Sequence, residues 1–161
     1  MLPVLGLNTA IISIVAQNFG AKQFLRVKQS YFHAIFYGFS IMVLAGIIIY
    51  LSADNIVSIF TKNADVIKYG STYLKISALI FPAYPIYFIS NGFFMAIKKS
   101  HYSMFLNIIR NILLAIPTIY FAKFIGGTYN AFFWSYCIFN WIFMFSLLIF
   151  VTLYIKKFLQ S

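Results

Sequence analysis

Acidic residues are almost missing from this sequence: glutamate is absent, and Asp54 and Asp65 are the two aspartates. Carboxylate-based acid–base chemistry has little raw material here. Cys137 is the lone cysteine, and His33 and His101 are the two histidines. One thiol forms no internal disulfide and no zinc site. No HExxH, HxxxxD, GxSxG or Walker pattern occurs, so the chain reads as no enzyme. Charge of either sign is scarce. Charged residues make up 9% of 161, against about 25% in a soluble domain. Such a chain cannot cover itself with polar groups, which excludes a water-soluble globule and makes lipid its solvent.

What is abundant is apolar surface. Hydrophobic residues reach 63% and aromatics 21%, with a mean hydropathy of +0.91. Twelve Lys and Arg leave a formal net charge of +10. In a soluble protein that balance would point to nucleic acid. Here the cations form no stripe. They stand between long apolar runs, as juxtamembrane charges do, so nucleic acid is not expected as a partner.

A hydrocarbon core about 30 Å thick needs ~20 apolar helical residues. Runs of that kind cover about 2–19, 31–53, 76–97, 102–122 and 131–155. In lipid each must be a helix, because every backbone amide needs an internal partner. Period-2 alternation, which would mark a barrel, is absent. The expected fold is all-α: a polytopic bundle of five transmembrane helices in one unit over 1–161.

Lys and Arg in the short connections set the orientation. Lys22, Arg26, Lys28, Lys98, Lys99, Lys156 and Lys157 alternate onto one side. Lys62, Lys68, Lys75 and Lys123 fall on the other, offset by Asp54 and Asp65. The cation-rich side is expected to be cytoplasmic, with the C-terminus inside.

The segment "IVAQNFGAKQFLRVKQ" ends the first run abruptly. Gly20 suits a left-handed helix end, and Gln17 and Asn18 are placed to satisfy its carbonyls. Ala21, Phe24 and Leu25 share a helical face, so residues 21–30 read as a short amphipathic turn on the inner headgroups. Beyond the second run, Asn63 or Asp65 is positioned to N-cap a helix that feeds the third.

Arg110 stands near the middle of the fourth run. A guanidinium there costs roughly 2.5–3.5 kcal/mol on insertion scales, so it must face protein or a watery cavity. It is either a cavity-lining charge or a structural cation held by carbonyls, Asn107 or Asn111. Asn91, Asn107 and Tyr84 are the other cavity candidates. Tyr84, Tyr87, Phe88, Phe93 and Phe94 offer rings that stack on flat cations. In "FPAYP", Pro82 and Pro85 each remove an amide and break the helical ladder, which makes a hinge or a static kink. Pro117 carries the same two readings.

These segments resemble one family. "GLNTAIISIVAQNFGAKQFLRVK" is similar to the segment that closes a helix on the cytoplasmic side in the multidrug and toxic compound extrusion (MATE) transporters, through Gln17, Asn18, Gly20, Ala21, Lys22 and Arg26. "IVSIFTKNADVIKYGSTYLKI" resembles the family's outer stretch through Phe60, Thr61, Asp65, Val66, Ile67, Tyr73, Leu74 and Ile76. "NIIRNILLAIPTIYFAKF" is similar to its penultimate helix. The connection "MAIKKSHYS" departs from the small residues usual there.

The resemblance implies five helices of a six-helix C-terminal lobe, hence a C-terminal fragment that is inactive alone. It implies antiport of drugs and organic cations, coupled to Na+ or H+, with no cofactor and no ion site on this chain. The implied partners are the lipid bilayer, small organic cations, and the missing N-terminal lobe in cis or as a split partner. The implied location is the inner (plasma) membrane. A lipid-linked sugar flippase of the same superfamily and a non-transporting membrane interaction subunit remain as alternatives.

The charge asymmetry makes a direct prediction. Reporters fused after Ser161 and inserted near Asn63 should report opposite sides, the first cytoplasmic. Both on one side would exclude the five-span topology.

Overall fold

Charge-free runs become helices because lipid offers the backbone no partners. The computed structural model of the protein describes residues 2–124, 126 and 129–159. Its elements are α1 (Leu2–Gly20), α2 (Phe24–Phe60), α3 (Ala64–Ile80), a 3-10 turn (Phe81–Ala83), α4 (Tyr84–Ala96), α5 (Ser100–Phe124) and α6 (Tyr129–Leu159). No strand occurs among the described residues. With α3, the turn and α4 taken together, five helical segments are long and apolar enough to cross a membrane.

The structure corrects the reading of residues 21–30. They form no separate amphipathic turn. Phe24 opens α2, which runs unbroken for 37 residues. Val27 and Tyr31, one turn apart, are buried against the bundle, while Leu25 is exposed. Core packing thus decides which face turns inward, and the Ala21–Phe24–Leu25 face does not.

Gly20 is likewise not the left-handed residue. It is the last residue of α1, and Lys22 takes the positive φ of 57°. The Gln23 amide bonds the Asn18 carbonyl at 2.8 Å and the Lys22 amide bonds that of Phe19 at 3.0 Å, the pattern of a Schellman turn. The α4–α5 connection repeats it. Lys98 has φ 60°, the Lys99 amide bonds Phe94 O at 2.9 Å, and the Lys98 amide bonds Met95 O at 3.1 Å. In both turns the 6→1 bond fixes which residue must be left-handed, and a lysine occupies that place. Of the two amides, Asn18 Nδ2 donates to the Ile14 carbonyl at 2.8 Å, whereas Gln17 Nε2 reaches the Ser13 hydroxyl.

On the other side the loop is short. Asn63 caps α3, its Oδ1 accepting from the amides of Asp65 at 3.0 Å and Val66 at 3.3 Å. Lys75 and Asp54 pair across α3 and α2 at 2.6 Å.

α4 is the centre of the bundle and touches α1, α2, α5 and α6. Ten of its thirteen residues are buried. Phe93 and Phe94 are fully enclosed. The Phe94 ring lies 5.2 Å from Tyr102 and 5.4 Å from Tyr154, which joins α4, α5 and α6. Val27, Ile97 and Ile155 belong to the same buried cluster, so Lys28, Lys98 and Lys156 each adjoin it. Ile76, beside Lys75, belongs to a second cluster with Ile80 and Cys137.

Association in lipid relies on close contact rather than on expelling water, so small residues mark the tight places. At Gly46 a Cβ would stand 2.9 Å from the Ala78 carbonyl oxygen. At Gly92 it would collide with the Asn8 side chain, with Ile11 Cγ2 only 3.0 Å away.

Gly92→Val should therefore push α1 from α4 and cost about 1–3 kcal/mol. Gly20→Ala, which meets nothing within 4 Å, should leave stability equal or slightly higher. Thermal unfolding in detergent checks both, and equal melting temperatures for the two variants would contradict the α1–α4 contact.

Candidate functional site

Helical spacing gathers the polar residues of two spans onto facing stripes. Residues 84, 87 and 91 share one face of α4, and residues 103, 107, 110, 114 and 118 share one face of α5. Where the stripes meet, Asn91 Oδ1 accepts from the Ser103 hydroxyl and, at 3.2 Å, from Asn107 Nδ2. Asn107 Nδ2 also reaches the Ser103 carbonyl at 2.7 Å. The Tyr87 hydroxyl donates to Asn107 Oδ1. Asn91 Nδ2 returns to the Tyr87 carbonyl at 2.9 Å. Four side chains thus close a network between α4 and α5.

Arg110 caps this network. Its guanidinium carbon sits 4.2 Å from the centre of the Tyr87 ring and 5.6 Å from that of Tyr84. A desolvated cation–π contact contributes about 2 kcal/mol, of the same order as the insertion cost of the charge. The contacts of the cation are aromatic rings, with no carbonyl or amide of the described residues bonded to it. Its Nε is buried and has no hydrogen-bond partner.

Beyond Arg110, a half-open cleft of about 350 Å³ lies between α5 and α6. Arg110, Asn111, Thr118, Phe132 and Tyr136 line it. Thr118 Oγ1 is buried without a partner. Asn140, one turn past Tyr136, is fully buried and neither of its amide atoms is bonded.

The prolines shape the approach to this site. Pro82 has no amide for the Ala78 carbonyl, and Pro85 none for the Phe81 carbonyl. The 3-10 turn repairs both. The Phe81 amide bonds Ala78 O, and the Tyr84 amide bonds Phe81 O. Trp141 Nε1 of α6 takes the Leu79 carbonyl at 3.1 Å. Tyr84 therefore leaves the break as the first residue of α4. Pro117 lies inside α5, which continues past it to Phe124.

Arg110, Asn107, Asn91 and Tyr84 are thus brought together. The Gln17–Arg26 segment is not among them: it builds the α1–α2 turn, and Arg26 is exposed. Ser103, which does not stand out in the sequence, completes the network with Tyr87, one of the five rings read there as able to stack on a cation. Their signal was the i, i+3, i+7 spacing of Tyr84, Tyr87 and Asn91, and the i, i+4 step from Ser103 to Asn107. Among the described residues no group of three His, Cys or Asp could hold a metal ion.

A family model, MatE, matches residues 1–121. Searching curated proteins by sequence finds no match. Several solved structures share the fold. A MATE in complex with MaL6 superimposes with a TM-score of 0.91 at 17% identity. A MOP superfamily transporter from Pyrococcus furiosus Vc1, whose binding pocket is described as of reverse polarity, gives 0.87 at 19%. An outward-facing multidrug resistance MATE family transporter of the same superfamily gives 0.84 at 20%. In each case 99% of this chain is covered, and the chain spans 36% of the other's length.

The α4–α5 network predicts a stability effect. Asn91→Ala should leave the Ser103 hydroxyl and the Asn107 amide short of an acceptor and cost about 1–3 kcal/mol. Ser146→Ala, which removes only a local bond to the Ile142 carbonyl, should cost far less. Melting in nanodiscs measures the difference, and equal losses would show that the network is energetically idle.

Proposed function

Because the chain belongs to the MatE family, we propose that it is a lobe of an ion-coupled antiporter that exports drugs and organic cations. The family match over residues 1–121 carries this reading. The chain is a multi-pass membrane protein of a transporter family. The finer claims rest on chemistry.

Alternating access needs a cavity that two bundles share and, in such folds, a discontinuous helix beside it. The Pro82–Pro85 break supports the second requirement. It is a segment whose carbonyls are bonded by a short turn and by Trp141, so bending it exchanges few bonds. The Tyr84 and Tyr87 rings, the Asn91–Asn107 pair and Arg110 are the proposed cavity wall. A second bundle, in cis or as a partner, supplies the opposite wall. The coupling ion, Na+ or H+, binds there, since neither aspartate of this chain lies beside the Arg110 network. The lobe sits in the inner (plasma) membrane, with Lys22, Lys98 and Lys156 facing the cytoplasm.

Dye retention tests the reading. In cells stripped of their own pumps, this lobe assembled with a complementary MATE lobe should lower ethidium retention, and dissipating the Na+ and H+ gradients should restore it. The chain expressed alone should not lower it. Efflux that persists without either gradient would overturn the coupling, and efflux by the chain alone would overturn the two-bundle cavity.

A further inference from the structure

We propose that the α5–α6 cleft is an anion subsite in which Arg110 takes the carboxylate or phosphate group of an otherwise apolar ligand. The inference rests on the transport reading only for what carries the ligand there. The binding chemistry stands on this chain's own residues.

Four observations converge. First, Arg110 has no acid to answer it. Asp54 is engaged by Lys75 at 2.6 Å, and Asp65 lies in the first turn of α3 beside its Asn63 cap. Second, the cation is presented rather than consumed. The Tyr87 and Tyr84 rings lie against the guanidinium without taking a hydrogen bond from it, and Nε is buried without a partner. An arginine edge matches a carboxylate or phosphate with two parallel bonds.

Third, the cleft continues the donor set. Asn111, Thr118 and Tyr136 line it with Arg110, and each has an N–H or O–H to give. Thr118 is 1% exposed and its hydroxyl is buried without a partner. Fourth, the rest of the wall is apolar, with Leu114, Ala115, Ile119 and Phe132. A volume of about 350 Å³ accepts a small aromatic body, within the usual span of ligand pockets.

Depth bears on the ligand's origin. Arg110 stands ten residues into α5, roughly 15 Å from its first residue at 1.5 Å per residue. That is mid-membrane, below the level at which a resident lipid keeps its headgroup. A cargo that carries an acid group, alone or beside an amine, fits that depth better than a bilayer lipid at rest.

The test is calorimetric binding to the purified full chain in phosphatidylcholine nanodiscs. The probes are 2-naphthoate, its neutral amide and a naphthyl trimethylammonium. Naphthoate should bind at least tenfold tighter than the amide, and the ammonium weaker still. Arg110→Gln should weaken naphthoate at least tenfold, and Arg110→Lys should recover part of the loss. Thr118→Val keeps the charge and should weaken naphthoate by about tenfold, which serves if Arg110→Gln loses helicity by circular dichroism. Inorganic phosphate that displaces naphthoate would assign the site to water-borne anions. Displacement only in phosphatidylglycerol discs would assign it to headgroups. Either result supports the subsite.

Equal affinity for acid and amide would overturn it, as would naphthoate binding untouched by both Arg110→Lys and Thr118→Val. Absent ethidium efflux with naphthoate binding intact would remove the efflux reading and leave the subsite. Efflux without naphthoate binding would do the reverse.

Discussion

A backbone carbonyl inside lipid must find a donor within the protein, and the architecture follows from how that demand is met where the helix breaks. Two prolines within four residues orphan the carbonyls of Ala78 and Phe81. The 3-10 turn serves both from the amides of Phe81 and Tyr84, and Trp141 takes the carbonyl of Leu79. The Trp141 bond binds α6 to the break. Gly46 lets α2 approach within contact of the Ala78 carbonyl. Once the break is held there, α4 starts at Tyr84, and its phase places Tyr84, Tyr87 and Asn91 toward α5. The position of Arg110 over those rings is a downstream result of one local repair.

The same logic explains why the polar groups between α4 and α5 form a closed set. An amide left unpaired in hydrocarbon is expensive, so Asn91 and Asn107 meet each other and share Ser103 and Tyr87. This interface has direction and register. It is unlike the aromatic packing around Phe94, where a ring can turn without breaking a bond. One end of α4 is therefore fixed by hydrogen bonds near mid-membrane and the other by rings near the lysine-bearing turns.

The spans were legible in the sequence because lipid permits one backbone solution and because charge marks its limits. The Asn63 cap and the Pro82–Pro85 break were legible for similar reasons, since each is a local rule written in one or two residues. Arg110, Asn107 and Asn91 stood out because polar groups in a span need an explanation. What hid was anything decided by packing. Gly20 looked like the left-handed residue, yet the Schellman bond from Gln23 to Asn18 gives that role to Lys22. Residues 21–30 looked interfacial, yet Val27 and Tyr31 turn α2 onto the core. Tyr87 was one ring among many, and only its register against Asn107 and Arg110 distinguishes it.

The three-residue turn between α4 and α5 has a consequence for biogenesis. Helices joined by three residues are close enough to insert together as a hairpin. Within such a hairpin Arg110 has the Tyr87 ring of α4 beside it. Lys98 and Lys99 stand in that turn, so the closed end of the hairpin carries two charges that resist passage through hydrocarbon.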